Sequence, residues 1–277
     1  MSLVLRLFLP VVITIAAYLF YIKQQQYQQV EQQPLKSNPQ YNPLLNDSNM
    51  SASALSLLKV AAPAKATATM IIVHGLGDSG QGWTFLSDAF HQMPDFQHIN
   101  FIFPNAPTKP LSVAGGQLVP QWFDIYEFGN PNAKSDVTGF FNTVNQIKDL
   151  VKKEVENGIP AERVLIGGFS QGAAISLATT ATLDTRIAGC LSLSGFCPVR
   201  DAVKEKKSDV NKDTPIFHGH GDMDTVIPID YAHKTRDFYQ SLGFKVDFHE
   251  YIGMGHSTSN EEFADIIQFV KKVLPSN

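Results

Sequence analysis

Cysteine and basic clusters are scarce in this 277-residue chain, and each scarcity excludes a class of protein. Two cysteines are too few for a disulfide-stapled fold. Cys190 and Cys197 would lie about 23 Å apart on an extended strand, beyond bridging distance, so we interpret both as buried thiols in a reducing compartment. The net charge is −4, and Lys and Arg never occur more than two in a row. These features argue against a nucleic-acid-binding surface.

One long apolar run is present, at the N-terminus. Residues 3–22 contain a single charge, Arg6, and about twenty apolar residues are what a helix needs to cross a bilayer. A cleaved signal peptide is the alternative, but no small-residue cleavage motif precedes the glutamines that follow. We therefore expect a membrane anchor at 1–22. Residues 23–61 are rich in Gln, Asn, Ser and Pro without periodicity, which predicts a flexible tether.

From residue 62 onwards, short apolar runs alternate with segments of helical periodicity. The stretches 68–75 and 99–107 are typical of buried strands, and later strands and helices follow in turn up to a C-terminal helix. This alternation predicts an α/β domain over 62–277, with a mostly parallel sheet, helices on both faces and no separate cap domain. In such sheets ligands bind at the carboxyl ends of the strands.

A serine between glycines follows one of these strands, in the stretch GGFSQGAA. Gly168, Ser170 and Gly172 match the G-x-S-x-G pattern of a nucleophile elbow, in which a tight strand-to-helix turn holds out the serine. An ordinary tight turn is the alternative, because the pattern also arises by chance. The position between a predicted strand and a predicted helix favours the catalytic interpretation.

Two further candidates follow later strands, in the chain order that an α/β-hydrolase requires. Asp224 lies in HGDMDTVIP, with Asp222 as the alternative acid, and His256 lies in GMGHS. A serine hydroxyl needs a base to activate it, and the base needs a third group to orient it. The sequence thus predicts a triad of Ser170, Asp224 and His256 at one edge of the sheet.

Acyl transfer also requires an oxyanion hole, and two backbone N–H groups are candidates. Gln171 begins the helix after the serine, where its N–H faces the site. Leu76 lies in HGLGDSG, a loop that follows an earlier strand, and its flanking glycines allow the required orientation. Loss of one such donor costs about 3–4 kcal/mol of transition-state stabilisation.

A competing signal is the run His218-x-His220-x-Asp222, which is similar to the H-x-H-x-D-H motif of binuclear metallohydrolases. Met223 stands where the final histidine of that motif belongs, and a thioether is a poor ligand for a hard catalytic metal. The sequence therefore predicts neither a metal nor a cofactor. We interpret His218, His220 and His249 as structural or supporting residues.

The chain from 62 to 275 resembles the acyl-protein thioesterases, small α/β-hydrolases related to lysophospholipases and carboxylesterases. The matching stretches are HGLGDSGQGW, FPNAPTKPLSV, VPQWFDIY, GFSQGAA, HGDMDTVIP and GMGHS. The resemblance supports the triad and both oxyanion donors, and it implies hydrolysis of long-chain acyl thioesters on protein cysteines, or of lysophospholipid and small esters. Ala173 and Gly255 depart from the family pattern, but neither change removes a catalytic group.

We expect an acyl-chain groove beside the triad. The segment 111–125 mixes apolar side chains with a Gly115-Gly116 pair, so it is either a movable flap or a half-buried loop. The substrate-binding candidates are Trp83, Leu111, Val113 and Trp122. The expected partners are S-acylated proteins or acyl lipids, and a membrane reached through the N-terminal helix. Because S-acyl cysteines face the cytosol, we expect a single-pass membrane protein whose catalytic domain faces the cytosol; oligomeric state is not indicated.

Overall fold

The computed structural model describes residues 55–127 and 134–276. The predicted anchor, 1–22, and most of the predicted tether, 23–61, lie outside these residues. The described part forms one compact unit that begins at Leu55.

A seven-stranded sheet organises this unit, and a two-stranded antiparallel hairpin accompanies it. The strands of the large sheet lie in the order β1-β3-β2-β6-β7-β8-β9. Only β1 runs antiparallel, pairing with β3, while the remaining neighbours are parallel. The strands are β1 (Ser56–Val60), β2 (Ala68–Val73), β3 (Ile99–Asn105), β6 (Val164–Phe169), β7 (Gly189–Leu193), β8 (Ile216–Gly221) and β9 (Val246–Tyr251), with β4 (Thr108–Leu111) and β5 (Gln117–Pro120) in the hairpin.

The described residues contain six α-helices, of which five lie between strands and the last follows β9. They are α1 (Thr84–His91), α2 (Val137–Glu156), α3 (Gln171–Thr182), α4 (Arg200–Lys206), α5 (Ile229–Ser241) and α6 (Asn260–Val273). Short 3-10 turns occur at Gly80–Trp83, Pro94–Phe96, Ser112–Ala114 and Ala161–Arg163. The sequence predicts this general strand–helix alternation, but it does not reveal α1, α4 or the β4–β5 hairpin.

The sheet is covered on both faces, and β3 shows how the alternation of side chains achieves this. Phe101 packs edge-to-face against Phe90 of α1, which in turn meets Phe263 of α6. The next residue, Ile102, belongs to the core cluster that includes Phe140 of α2. The prediction of a mostly parallel sheet between helical layers is therefore confirmed.

Helix α3 is buried along its whole length. Small and apolar residues cover every side of it, as expected of a helix enclosed by the core rather than lying on the surface. It starts directly after β6, so the residue between them, Ser170, sits at the carboxyl edge of the sheet with a rigid element on either side.

Two elements differ from the sequence-based expectation. Strand β1 lies inside the range predicted as tether. It is only five residues long, and it is ordered by pairing with Phe101–Asn105 of β3. Part of the segment 111–125 forms the hairpin with β4, and Gly115 and Gly116 make its turn with φ of 65° and 86°. The β1–β3 pairing joins residues far apart in the sequence, and the β4–β5 pairing joins residues across a turn. Neither pairing can be predicted from the local periodicity of hydrophobic residues.

Candidate active site

Ser170 occupies the sharp turn between β6 and α3. Its φ of 54° and ψ of −116° are rarely adopted by a residue with a side chain. The backbone N–H of Ser170 donates to the carbonyl of Leu193 at 2.9 Å, which ties the turn to the end of β7. A strained serine in a strand-to-helix turn is the geometry of a nucleophile elbow.

The two glycines of the elbow are required by close backbone contacts. A Cβ atom on Gly168 would lie 2.7 Å from the carbonyl oxygen of Val73, and one on Gly172 would overlap the same carbonyl. Real Cβ atoms do not approach that closely. Strand β2, the elbow and the start of α3 can therefore meet only because these positions have no side chain.

Asp224 and His256 are in contact although they are distant in the sequence. Nδ1 of His256 lies 2.7 Å from Oδ2 of Asp224. Asp224 follows β8 and His256 follows β9, and Gly221 allows the two loops to approach, because a Cβ there would overlap the carbonyl of Met254. The structure therefore brings together the acid and the histidine that the sequence places at neighbouring strand ends.

The carboxylate of Asp224 is buried and fully hydrogen-bonded. Oδ1 accepts the backbone N–H groups of Val226 (2.9 Å) and Ile227 (2.8 Å), and Oδ2 faces both His256 and Nε2 of His220, the latter at 3.3 Å. Burial alone would raise the pKa of Asp224, but the hydrogen bonds from His220, His256 and Ile227 outweigh it and hold the pKa well below its usual range. Asp224 is therefore a fixed negative charge.

His256 lies over the elbow. Its ring is 4.8 Å from that of Phe169, the residue immediately before Ser170, and its side chain is 17% exposed. Because Nδ1 donates to Asp224, the lone pair of the neutral imidazole is on Nε2. The ring thus has a buried, anchored side and a second nitrogen available for proton transfer.

The competing acid and the remaining histidines have other surroundings. Oδ1 of Asp222 accepts the N–H of Gly253 at 2.6 Å, so this side chain fastens the β9–α6 loop. His218 is fully buried, and burial, together with the nearby His220, lowers its pKa to about 3. His249 stacks on Phe217. Among the described residues, no group of His, Cys, Asp and Glu side chains is arranged to hold a metal ion.

The loop that carries Leu76 lies against the elbow. A Cβ on Gly75 would be 3.6 Å from the Cβ of Ser170. His74 fixes the loop: its Nε2 accepts the N–H of Ala106 at 3.1 Å, so Nδ1 carries the proton and donates to the Gly75 carbonyl at 2.7 Å. Burial lowers the pKa of His74, which keeps the ring in this neutral form.

Gln171 is the first residue of α3, so its N–H has no acceptor within the helix. Its buried side chain adds a feature that the sequence does not reveal. Oε1 accepts the N–H of Trp122 at 3.0 Å, and Nε2 donates to the carbonyl of Phe123 at 2.9 Å. This contact joins residues 48 or 49 positions apart, and no local pattern signals it.

The four predicted acyl-groove residues have unequal exposure. Trp83 packs its ring 5.5 Å from Phe169 and is mostly buried, as is Leu111. Val113 is half-buried, whereas Trp122 is completely buried and offers no open surface. Trp83, Leu111 and Val113 stay predictions as groove residues, and the contacts of Trp122 indicate a supporting position instead.

The site thus combines a mostly parallel α/β sheet, a strained serine at an elbow after β6, and an Asp–His pair after β8 and β9. This combination defines the serine hydrolases of the α/β-hydrolase fold. Residues 57–274 match the phospholipase/carboxylesterase family, and the chain belongs to that family. It is 49% identical over 231 residues to acyl-protein thioesterase 1 of Candida albicans, covering 81% of this chain and 99% of that protein.

Two further similarities agree with this assignment. Acyl-protein thioesterase 1 of Saccharomyces cerevisiae is 47% identical over 79% of this chain and 99% of its own length. The crystal structure of Zea mays acyl-protein thioesterase 2 superposes with a TM-score of 0.70 at 26% identity, covering 79% of this chain and 99% of that one. The predicted family resemblance is confirmed, and the protein is a serine hydrolase.

The prediction of a single-pass membrane protein is wrong. The Candida and Saccharomyces relatives match over 99% of their own length but over only 81% and 79% of this chain, so about a fifth of this chain has no counterpart in them. Within 55–127 and 134–276, no helix is long and apolar enough to cross a bilayer, and the apolar run 3–22 lies outside these ranges. The membrane location, which rested on the apolar run, is accordingly withdrawn, and with it the cytosol-facing orientation that presupposed a membrane anchor.

Proposed function

We propose that this protein removes long-chain acyl groups from S-acylated proteins by hydrolysing the thioester through an acyl-enzyme. The relatives named acyl-protein thioesterase support the substrate class. The observation that carries the chemistry is the 2.7 Å contact between Asp224 and His256 at the rim where Ser170 is held in a strained turn. Ser170 is the proposed nucleophile, His256 the general base and Asp224 the group that orients it.

In the acylation step, Oγ of Ser170 attacks the thioester carbonyl carbon while Nε2 of His256 takes the hydroxyl proton. The carbonyl oxygen becomes an oxyanion, for which the N–H groups of Leu76 and Gln171 are the proposed donors. Collapse of the tetrahedral intermediate breaks the C–S bond, and the imidazolium returns its proton to the departing cysteine sulfur. The acyl group is left on Ser170 as an ester.

In the deacylation step, water replaces the serine hydroxyl as the attacking group. His256 takes a proton from the water, the hydroxyl adds to the acyl carbon, and the same two N–H groups face the oxyanion. The intermediate then releases Oγ of Ser170, which regains its proton from the imidazolium. Asp224 stays ionised throughout, because its hydrogen bonds hold its pKa well below the usual range.

The experiment compares two serines that share an unusual backbone. Ser170 and Ser194 are the non-glycine residues with positive φ among those described, at 54° and 48°. With a palmitoyl-thioester probe, Ser170→Ala is expected to lose at least about 10⁴-fold in kcat, whereas Ser194→Ala should keep near wild-type turnover. Wild-type activity of folded Ser170→Ala would end the proposal.

Lysophospholipids and small carboxylic esters form a second substrate class, favoured by the phospholipase/carboxylesterase description of the matched family. The same acyl-enzyme chemistry serves both, since only the leaving atom differs. Values of kcat/KM on a palmitoylated peptide, a lysophospholipid and a short p-nitrophenyl ester separate the two classes. The thioesterase proposal expects the peptide to have the highest value, and a higher value for the lysolipid would favour the second class.

A further inference from the structure

The proposed oxyanion donors lie on two separate elements, beyond the part of the sheet that fixes their spacing. Strands β2 and β6 are hydrogen-bonded neighbours, and their last paired residues are Val73 and Gly168. Leu76 and Gln171 each come three residues after that last pair. The hydrogen bonds between β2 and β6 therefore fix the two strands but not the two N–H donors beyond them. Another contact must fix the donors, because they must lie within a few tenths of an ångström of the positions that stabilise the oxyanion.

Trp122 makes that contact from a third segment. Its indole Nε1–H donates to the carbonyl of His74 at 2.7 Å, two residues before Leu76. Its backbone N–H donates to Oε1 of Gln171 at 3.0 Å. One residue thus holds the loop after β2 through its side chain and the first residue of α3 through its backbone.

Trp122 is itself held in place on every polar group. Its carbonyl accepts Oγ1–H of Thr143 at 2.6 Å, and its ring lies 4.9 Å from that of His74. The side chain is completely buried, so the position of the indole is set by packing. The Gln171 amide cannot rotate freely either, since Nε2 donates to the carbonyl of Phe123 at 2.9 Å.

We infer that Trp122 is a positioning residue that sets the distance between the Leu76 and Gln171 N–H groups in the oxyanion hole. The contacts from the His74 carbonyl through Trp122 to the Gln171 side chain are here called the Trp122 bridge. This inference rests on the proposed function, since it concerns the oxyanion of that reaction. It also accounts for a bulky aromatic residue that is buried beside the site without lining it.

The test removes one hydrogen bond and keeps the ring. Trp122→Phe retains an aromatic side chain against His74 but has no N–H for its carbonyl. We expect kcat on the palmitoyl-thioester probe to fall about 10- to 100-fold, less than for outright loss of a donor, with KM changed less than about threefold. A long-chain trifluoromethyl ketone, which adds Ser170 Oγ to form an oxyanion adduct, should lose affinity by the same factor as kcat/KM.

A ground-state ligand and a matched control make the readout specific. Binding of a hexadecyl thioether analogue, in which a methylene replaces the thioester carbonyl, should be unchanged in Trp122→Phe, because that ligand has no carbonyl oxygen to enter the oxyanion hole. Tyr251→Phe also deletes one ring donor, the hydroxyl that bonds Asp265 at 2.9 Å, and should keep wild-type kcat and ketone affinity. A merely structural role for Trp122 would lower the melting temperature and leave the ketone affinity of the folded enzyme intact.

Gln171→Met breaks the other end of the bridge without removing the backbone N–H. It should reproduce the loss in kcat. In the double variant Trp122→Phe/Gln171→Met, kcat should fall by less than the product of the two single fold-losses. Should Trp122→Phe not fold, Gln171→Met decides alone. Wild-type ketone affinity in the folded single variants would overturn the bridge, whereas turnover by Ser170→Ala would overturn the proposed function itself.

Discussion

Two buried carboxyl groups near the rim of the sheet have opposite surroundings. Asp224, after β8, receives two backbone N–H groups and faces two histidines. Glu262, in the first turn of α6, lies over Gly219 where a Cβ atom would otherwise sit, and neither of its carboxyl oxygens has a hydrogen-bond partner of good geometry among the described residues. Burial is similar, but the number of donors is not.

The comparison shows that donors, rather than burial, decide the charge of each group. Burial raises the pKa of Glu262 to about 8, and the Ser259 backbone N–H offsets this only in part. The pKa of Asp224 is instead lowered, so its contribution to stability is present above pH 3.8 and is lost as the pH falls through its folded value. Hydrogen-bond donors thus surround Asp224, the carboxylate that must be ionised in the proposed mechanism.

The largest expected effect comes from removing that charge. Asp224→Asn keeps the shape of the side chain but presents an amide that cannot stabilise the imidazolium, so kcat should fall about 10⁴-fold. The measurement is kcat on the palmitoyl-thioester probe between pH 6 and 8. A loss below tenfold would mean that Asp224 does not serve as the orienting acid.

His220 is the donor that distinguishes the surroundings of Asp224 from a simple acid–histidine pair. Nε2–H of His220 donates to the carbonyl of Ile227 at 2.7 Å and also lies 3.3 Å from Oδ2 of Asp224. His220→Leu removes this N–H from the carboxylate and from the loop that caps it, and should lower kcat about tenfold. His220→Gln keeps an N–H at a similar reach and should recover most of that loss. KM should stay within about threefold in both variants.

The control for His220 is its neighbour on the same face of β8. His218 is also fully buried, but no contact joins it to Asp224. His218→Leu therefore tests the disturbance of the buried face alone and should retain most of the wild-type kcat. Equal losses in the two leucine variants would contradict a specific role for His220.

Replacing Glu262 is expected to change the stability of the protein but not its catalytic rate. Its folded pKa is raised from 4.5 to about 8, so the protein is most stable with respect to this group below pH 4.5. That stability is lost as the pH rises through about 8, because the unfolded chain ionises first. Glu262→Gln should raise the melting temperature by roughly 5–10 °C at pH 8.5 and change it little at pH 5.

Kinetics of Glu262→Gln provide the matching control. The carboxyl group contacts neither Asp224 nor His256, so kcat at pH 7 should stay close to that of the wild type. An unchanged melting temperature at pH 8.5 would show that Glu262 is ionised and paired in the folded protein, which would remove the contrast with Asp224.

The smallest effect is expected at the other acid of the same loop. Asp222 is half-buried and accepts the Gly253 N–H at 2.6 Å, and the Oδ1 atom of asparagine can accept the same bond. Asp222→Asn should therefore change kcat by less than about threefold. A loss comparable to that of Asp224→Asn would indicate that Asp222, rather than Asp224, is the catalytic acid.

Much of the site could be anticipated because its parts obey local rules. The glycines around Ser170 indicate a close approach between backbone segments, and the structure shows that approach. The position of Asp224 and His256 after successive strands is the one expected for ligand-binding residues of a parallel sheet. These are properties of single segments and of chain order. The α/β-hydrolase fold and the family could therefore be read before any coordinates were known.

What could not be predicted depends on contacts between distant residues. The Trp122 bridge joins residues 48 and 49 positions apart, and an indole in an apolar segment gives the same sequence signal whether it lines a groove or supports a loop. Strand β1 is too short to show a period, and it is ordered by its partner β3. The membrane location was wrong because it rested on the apolar run alone.

The central claim is that Ser170 carries the acyl group during turnover. Mixing the enzyme with excess palmitoyl-thioester substrate and quenching in acid traps the ester, and peptide mass spectrometry then locates it. A palmitoyl mass is expected on the peptide containing Ser170, and it should be absent from Ser170→Ala and stronger in variants that slow deacylation. An acyl group on a different residue, or full turnover with none on Ser170, would contradict the account.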